Sequence, residues 1–158
     1  AVPMVSPPQA PAAAPDRADA RKHLQQRLDA LALAYEQGDW RAAERAMWPN
    51  HAVVRPNGEH LERAEIRETW LEEWETTTNR DLKFYLEKFD VKGKVAAAQW
   101  TMLLTADLTD QGGEVHHMMI NGTQTATLVG EGDEQVLDGA IVYTAFERTL
   151  DGNVWLTE

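Results

Sequence analysis

The residues best suited to chemistry in this chain are a pair of histidines and one isolated acid. His116 and His117 are adjacent, and a neutral imidazole accepts a proton most readily near neutral pH. Adjacent strand residues point to opposite faces, so at most one of the two enters an interior. The pair therefore does not by itself ligate a metal. Asp138 lies between Leu137 and Gly139 in an otherwise apolar stretch. An acid among apolar neighbours has its charged form disfavoured, which suits proton transfer. Tyr85 and Tyr143 could donate a hydrogen bond to oxyanion charge as it develops. A plainer reading stands beside each of these: a surface or structural histidine, and a strand-end carboxylate next to an exposed turn.

Binding an apolar ligand draws on a different set. Trp70, Trp74, Trp100, Phe84, Met102, Met119 and Tyr143 are the candidates for lining a cavity, because such pockets are mostly apolar with a few placed polar groups. The alternative is that they fill the core. Six tryptophans in 158 residues point some of them to a pocket mouth or an interface, since tryptophan is hard to bury whole. The sequence has no G-x-S-x-G, H-E-x-x-H, phosphate-loop or EF-hand spacing, so the enzyme classes built on those motifs do not apply. With no cysteine, disulfides, thiolate nucleophiles and cysteine-ligated metals are excluded. Neither a metal nor a cofactor is expected.

The elements that must position these residues are legible as helices first and strands after. Leu24, Leu28, Leu31 and Tyr35 form one helical stripe from about Asp16–Asp19 to Gln37, and Gly38 stops it. Asp39 caps a short second helix that ends at Trp48-Pro49. A short strand, His51–Arg55, leads to the turn Pro56-Asn57-Gly58 and then a helix from about Glu62 to Thr76. That helix shows Ile66, Trp70 and Trp74 on one face, and its glutamates read as a solvated face. From Asn79 onward the period is two. Leu82, Phe84 and Leu86 alternate, and Phe89 and Val91 continue one residue out of phase, which predicts a β-bulge near Glu87-Lys88. Ala96, Ala98, Trp100, Met102 and Leu104 share a face of the next strand. Two longer strands, about 114–129 and 135–150, and a last one from Val154 complete the pattern. Helices ahead of a run of strands pack on one face of the sheet, so the expected class is α+β, with a strongly curved antiparallel sheet.

The formal charge of −11 argues against nucleic acid as a partner. The longest apolar runs fall far short of the roughly 20 residues of a spanning helix. Residues 1–15 hold five of the seven prolines and no charged side chain, so residues 1–17 read as a disordered tail or as a spacer in extended conformation. Such spacers follow cleaved export signals or membrane anchors, which sets an expectation of an exported or periplasmic protein. A cytoplasmic one is the alternative.

Several pieces in this order resemble the nuclear transport factor 2-like superfamily, with its polyketide cyclase-like proteins, steroid isomerases and scytalone dehydratase. The pieces are Tyr35-Glu36-Gln37-Gly38-Asp39-Trp40, Pro56-Asn57-Gly58, Ile66 with Trp70, and the closing stretch from Phe146 to Trp155. The resemblance covers roughly residues 20–158. It implies a cone, with helices lying across a bent sheet and a pocket inside, over residues 18–158. It also implies functions from assembly to catalysis, among which fold does not choose. The expected role is a non-catalytic domain that binds a small apolar ligand or assembles, as a homodimer. The alternative is a cofactor-independent acid–base isomerase or dehydratase acting on a hydrophobic carbonyl substrate. Asp138, His116 or His117 would be its base, and Tyr85 or Tyr143 its donor.

Overall fold

The leucine stripe folds as the helix its spacing predicts. In the computed structural model, which describes residues 14–131 and 134–157, helix α1 spans Ala14–Gln37. Leu24, Leu28, Leu31 and Tyr35 are each at most 4% exposed, and every such leucine contributes about 1.5–3 kcal/mol by leaving water. Of the tail or spacer expected over residues 1–17, residues 14–17 open this helix and the rest lie outside the described residues. Gly38 follows at φ +67°, a left-handed geometry that glycine adopts without a Cβ penalty. Helix α2, Trp40–Ala46, is capped by Asp39, whose side chain accepts from the Ala42 N–H. Helix α3 spans Arg63–Thr76, and the Glu65 carboxylate accepts from the Glu62 N–H at 2.8 Å to close its first turn.

Eight strands form one curved, mixed sheet against these helices. Strands β3 (Thr77–Lys92), β4 (Val95–Thr109) and β5 (Val115–Val129) run as an antiparallel meander, and β7 (Ile141–Leu150) pairs with β5. Beside β7 come β1 (Ala52–Val54) and then β2 (His60–Glu62), while the short β6 (Val136–Leu137) and β8 (Asn153–Thr157) pair with β5 and β7. The sheet is not antiparallel throughout, as expected from sequence. β1 runs parallel to β7, with Val53 opposite Ile141. No hairpin joins these two strands, so nothing forces them antiparallel. The turn at Pro56-Asn57-Gly58 also leads into β2 before α3 begins, giving a hairpin where a direct entry to the helix was expected. The stretch read as one strand over 135–150 is broken. Asp138–Ala140 leave the ladder, Gly139 takes φ +86°, and β6 turns to pair with Leu128 and Val129.

The bulge is where the phase slip puts it. Leu86 faces Trp100 and Lys88 faces Gln99, leaving Glu87 unpaired in the ladder. That extra residue bends β3 and returns Phe89 and Val91 to the inner face, where they pack against the core beneath Leu86 and Trp100. On β4 the inner positions Ala96, Ala98, Trp100, Met102, Leu104 and Ala106 are all buried. β3 is an edge strand, and α1 covers its edge with polar side chains. Gln25 donates to the Phe84 carbonyl at 2.9 Å and accepts from the Leu86 N–H at 3.2 Å. Arg21 donates to the Leu86 carbonyl, and Glu36 accepts from the Leu82 N–H. An edge so occupied offers little to a foreign strand.

Candidate functional site

Between α1, α3 and the inner face of the sheet lies a cavity of about 150 Å³. Its floor is made by side chains almost without exposure, among them Leu28, Trp100 and Ile141. Half-exposed Arg55, Trp70, Glu73, Phe146 and Arg148 make its rim. Two edge-on aromatic pairs stand in its wall: Tyr35 meets Trp70 at 5.0 Å, and Tyr143 meets Phe146 at 5.5 Å.

The cavity's polar groups are few. The Tyr35 hydroxyl donates to Glu73 Oε1 at 3.0 Å. Burial pushes the Glu73 carboxyl above the usual carboxylate range, with the Tyr35 bond and the nearby Arg148 charge pulling the other way. Burial and the Glu73 charge push the Tyr35 phenol up. Burial likewise pushes the Tyr143 phenol up to about 12, with a hydrogen bond to Gln124 pulling the other way, and its hydroxyl donates to the weak acceptor Met102 Sδ at 3.6 Å. Trp100 Nε1–H donates to Gln124 Oε1 at 2.6 Å, a buried bond across β4 and β5. His51 is 6% exposed, stacked on Trp48 at 5.6 Å, and its Nδ1 has no protein partner. Burial, with Arg63 and Arg27 nearby, lowers its pKa to about 4, so the imidazole is neutral at physiological pH.

This arrangement of helices across a bent sheet is shared with solved structures. A nuclear transport factor 2-like superfamily protein from Salmonella enterica aligns at TM-score 0.59 with 17% identity, over 80% of this chain and 91% of that one. A ketosteroid isomerase-like protein from Erwinia carotovora atroseptica aligns at TM-score 0.54 with 14% identity, over 82% of this chain and 96% of that one. This is the nuclear transport factor 2-like fold. A conserved protein from Planctomyces limnophilus shares it at TM-score 0.60 and 10% identity, over 78% of this chain and 96% of that one. No family model matches the sequence, and no curated protein does.

Within this fold the residues singled out from sequence part into two groups. Trp70, Trp100, Phe84, Met102 and Tyr143 line the cavity. Trp74 packs beside it against Tyr35 and Trp70, and Met119 is 39% exposed on the opposite face of the sheet. None of the expected bases enters the cavity. Asp138 is exposed in the break between β6 and β7, its N–H bonded to the Thr127 carbonyl. His116 is held between Asp110 at 2.8 Å and Asp151 at 2.7 Å, tying the β4–β5 turn to the β7–β8 turn. His117 is 67% exposed beside Asp107, and Tyr85 is half exposed on the outer face. The acid that does reach the cavity, Glu73, was grouped with the solvated glutamates of α3. Its position seven residues after Ile66 and three after Trp70 places it on the inner stripe, and that spacing was the available signal. For His51 the sequence offers no comparable mark.

Proposed function

We propose that this chain binds a small, largely apolar ligand of single-ring size in the cavity between α1, α3 and the sheet. The observation that carries the reading is the aromatic-walled cavity of about 150 Å³ with a largely apolar floor and charged groups at its rim. An apolar cavity of about 150 Å³ is enough to admit benzene. Pockets of this kind fix orientation with a small number of polar groups, and Gln124, Tyr143 and the unpartnered Nδ1 of His51 are within this wall. Titration with benzyl alcohol, read by tryptophan fluorescence, is the direct test because Trp70 and Trp100 are part of the wall. A saturable change is expected, and Ile120→Phe, which fills the cavity, should abolish it. A parent protein that gives no saturable change sinks the reading.

A second reading, acid–base isomerisation or dehydration of a ring-sized carbonyl compound, draws on one observation. Glu73 sits in the wall with its pKa raised by burial, which is the direction that makes a carboxylate a useful base. Tyr143, whose hydroxyl bonds the weak acceptor Met102 Sδ beside Gln124, would donate to developing enolate oxygen. The test reaction is conversion of a β,γ-unsaturated cyclohexenone to its conjugated isomer, followed by absorbance. Glu73→Gln should stop it while leaving benzyl alcohol binding intact. No conversion by the parent ends this reading and leaves the binding one standing.

A further inference from the structure

We infer that the cavity is made for an anion: a ring-sized apolar body ending in a carboxylate, which docks on the guanidinium of Arg148 with Arg55 beside it. The inference rests on the cavity reading above and names the class of its ligand. Polarity in this site is graded, with an apolar floor at Leu28, Trp100 and Ile141 and charged groups confined to the rim at Arg55, Glu73 and Arg148. A ligand entering ring-first therefore leaves its polar end at the rim. Arg148 Cζ lies 5.8 Å from the Phe146 ring centre and 4.8 Å from that of Trp155. Such stacking fixes the plane of the guanidinium and leaves its edge for a carboxylate. Its Nε is buried without a protein partner, and Arg148 makes no ion pair among the described residues.

The other rim charges do not cancel it. Arg55 pairs with Glu59 at 3.3 Å, but both are well exposed, so the pairing is weak and exchangeable. The Glu73 carboxyl is bonded to Tyr35, and burial favours its neutral form. Two guanidiniums against one carboxyl leave the rim with more cationic than anionic groups, within a chain of net charge −11. Its field would otherwise repel anions, so local guanidiniums are what an anion site here requires. A neutral ligand would leave Arg148 without a partner as water is displaced, and an ammonium would face two guanidiniums.

Affinities of benzoate, benzyl alcohol and benzylamine, measured by fluorescence at one ionic strength, test the inference on the parent protein alone. Benzoate is expected to bind about tenfold tighter than benzyl alcohol or better, because the pair is charge-assisted, and benzylamine weakest. Arg148→Gln should bring benzoate down to the level of benzyl alcohol measured on the same variant. Benzyl alcohol binding as tightly as benzoate to the parent overturns the inference and leaves the cavity reading intact. So does a benzoate preference that survives in Arg55→Gln/Arg148→Gln. If benzyl alcohol itself does not bind, the cavity reading falls and this inference falls with it.

Discussion

Two histidines in this molecule are set against each other by their surroundings. His116 lies between two aspartates, and hydrogen bonds to Asp151 and Asp110 raise its pKa to about 9 from 6.5. The folded state holds that proton more firmly than the unfolded chain does. The bond pair therefore stabilises fully below about pH 6.5, and its contribution is lost as pH rises through about 9. At the acid end the same clamp weakens when Asp110 and Asp151, both held low chiefly by His116, take up protons. His51 behaves in the opposite sense. Buried near Arg27 and Arg63, it is held neutral down to about pH 4, so the unfolded chain binds the proton first. Stability falls as pH drops from about 6.5 to about 4, by a limit on the order of 3 kcal/mol. Melting temperature against pH separates the two. His116→Gln should flatten the alkaline side of the profile, and also the strongly acid limb where Asp110 and Asp151 protonate, while keeping the fall from about pH 6.5 to about 4 that belongs to His51. His51→Gln should flatten the acid side alone. An unchanged alkaline slope in His116→Gln would show that the clamp between the two turns carries no stability.

At the scale of elements, the polar side chains of α1 that occupy the β3 edge deserve a direct perturbation. Gln25 satisfies two backbone groups of β3 at once, the Phe84 carbonyl and the Leu86 N–H. Gln25→Ala leaves both without that partner, and chemical denaturation should show a loss of about 1–3 kcal/mol. A change under about 0.5 kcal/mol, typical of a free surface position, would mean that water replaces the glutamine without penalty. The bulge two residues further on was readable from sequence because a change of phase in a two-residue period has one simple geometric cause. The same period exposed the buried face of β4 through its alternating small and large apolar residues. Pairing direction was not readable, since β1 shows only three residues to the ladder and its partner lies far along the chain. The break at Asp138-Gly139 was hidden by apolar neighbours on both sides, and with the break unseen, Asp138 looked like an interior acid. Asp138→Asn should accordingly leave benzyl alcohol binding unchanged. Glu73 was hidden by company of a different kind, standing in a helix rich in exposed glutamates. Tyr35 was placed correctly in the apolar stripe, but its hydroxyl partner on α3 could come only from three dimensions.

For the whole molecule, the outer face of the sheet is the surface left to explain. Across β4, β5 and β7 its central rows run Thr101, Thr123 and Ala145, with Tyr85 of β3 beside Thr101, then Gln99, Thr125 and Val142. With Leu103, Thr105 and Met119 alongside, these positions carry no charge, although a quarter of the chain is charged. Lys83, Lys88, Glu147, Asp107 and His117 lie around them on the same face, and from the bulge the Glu87 carboxylate accepts from the Thr101 hydroxyl at 2.6 Å. An uncharged centre with a charged border is the composition of a protein interface, whose core is depleted in charged residues. The covered edge of β3 makes growth by strand addition there unfavourable, so association should be face to face and closed at two copies. We expect the purified protein to sediment as a dimer at micromolar concentration. Thr123→Arg puts a charge at the centre of the patch and, if the faces meet, sets it against its own copy across a twofold axis. That variant should sediment as a monomer with an unchanged melting profile at low concentration, and the cavity, which opens on the other side of the sheet, should still bind benzyl alcohol. A parent protein that stays monomeric at every concentration would remove self-association as the use of this face.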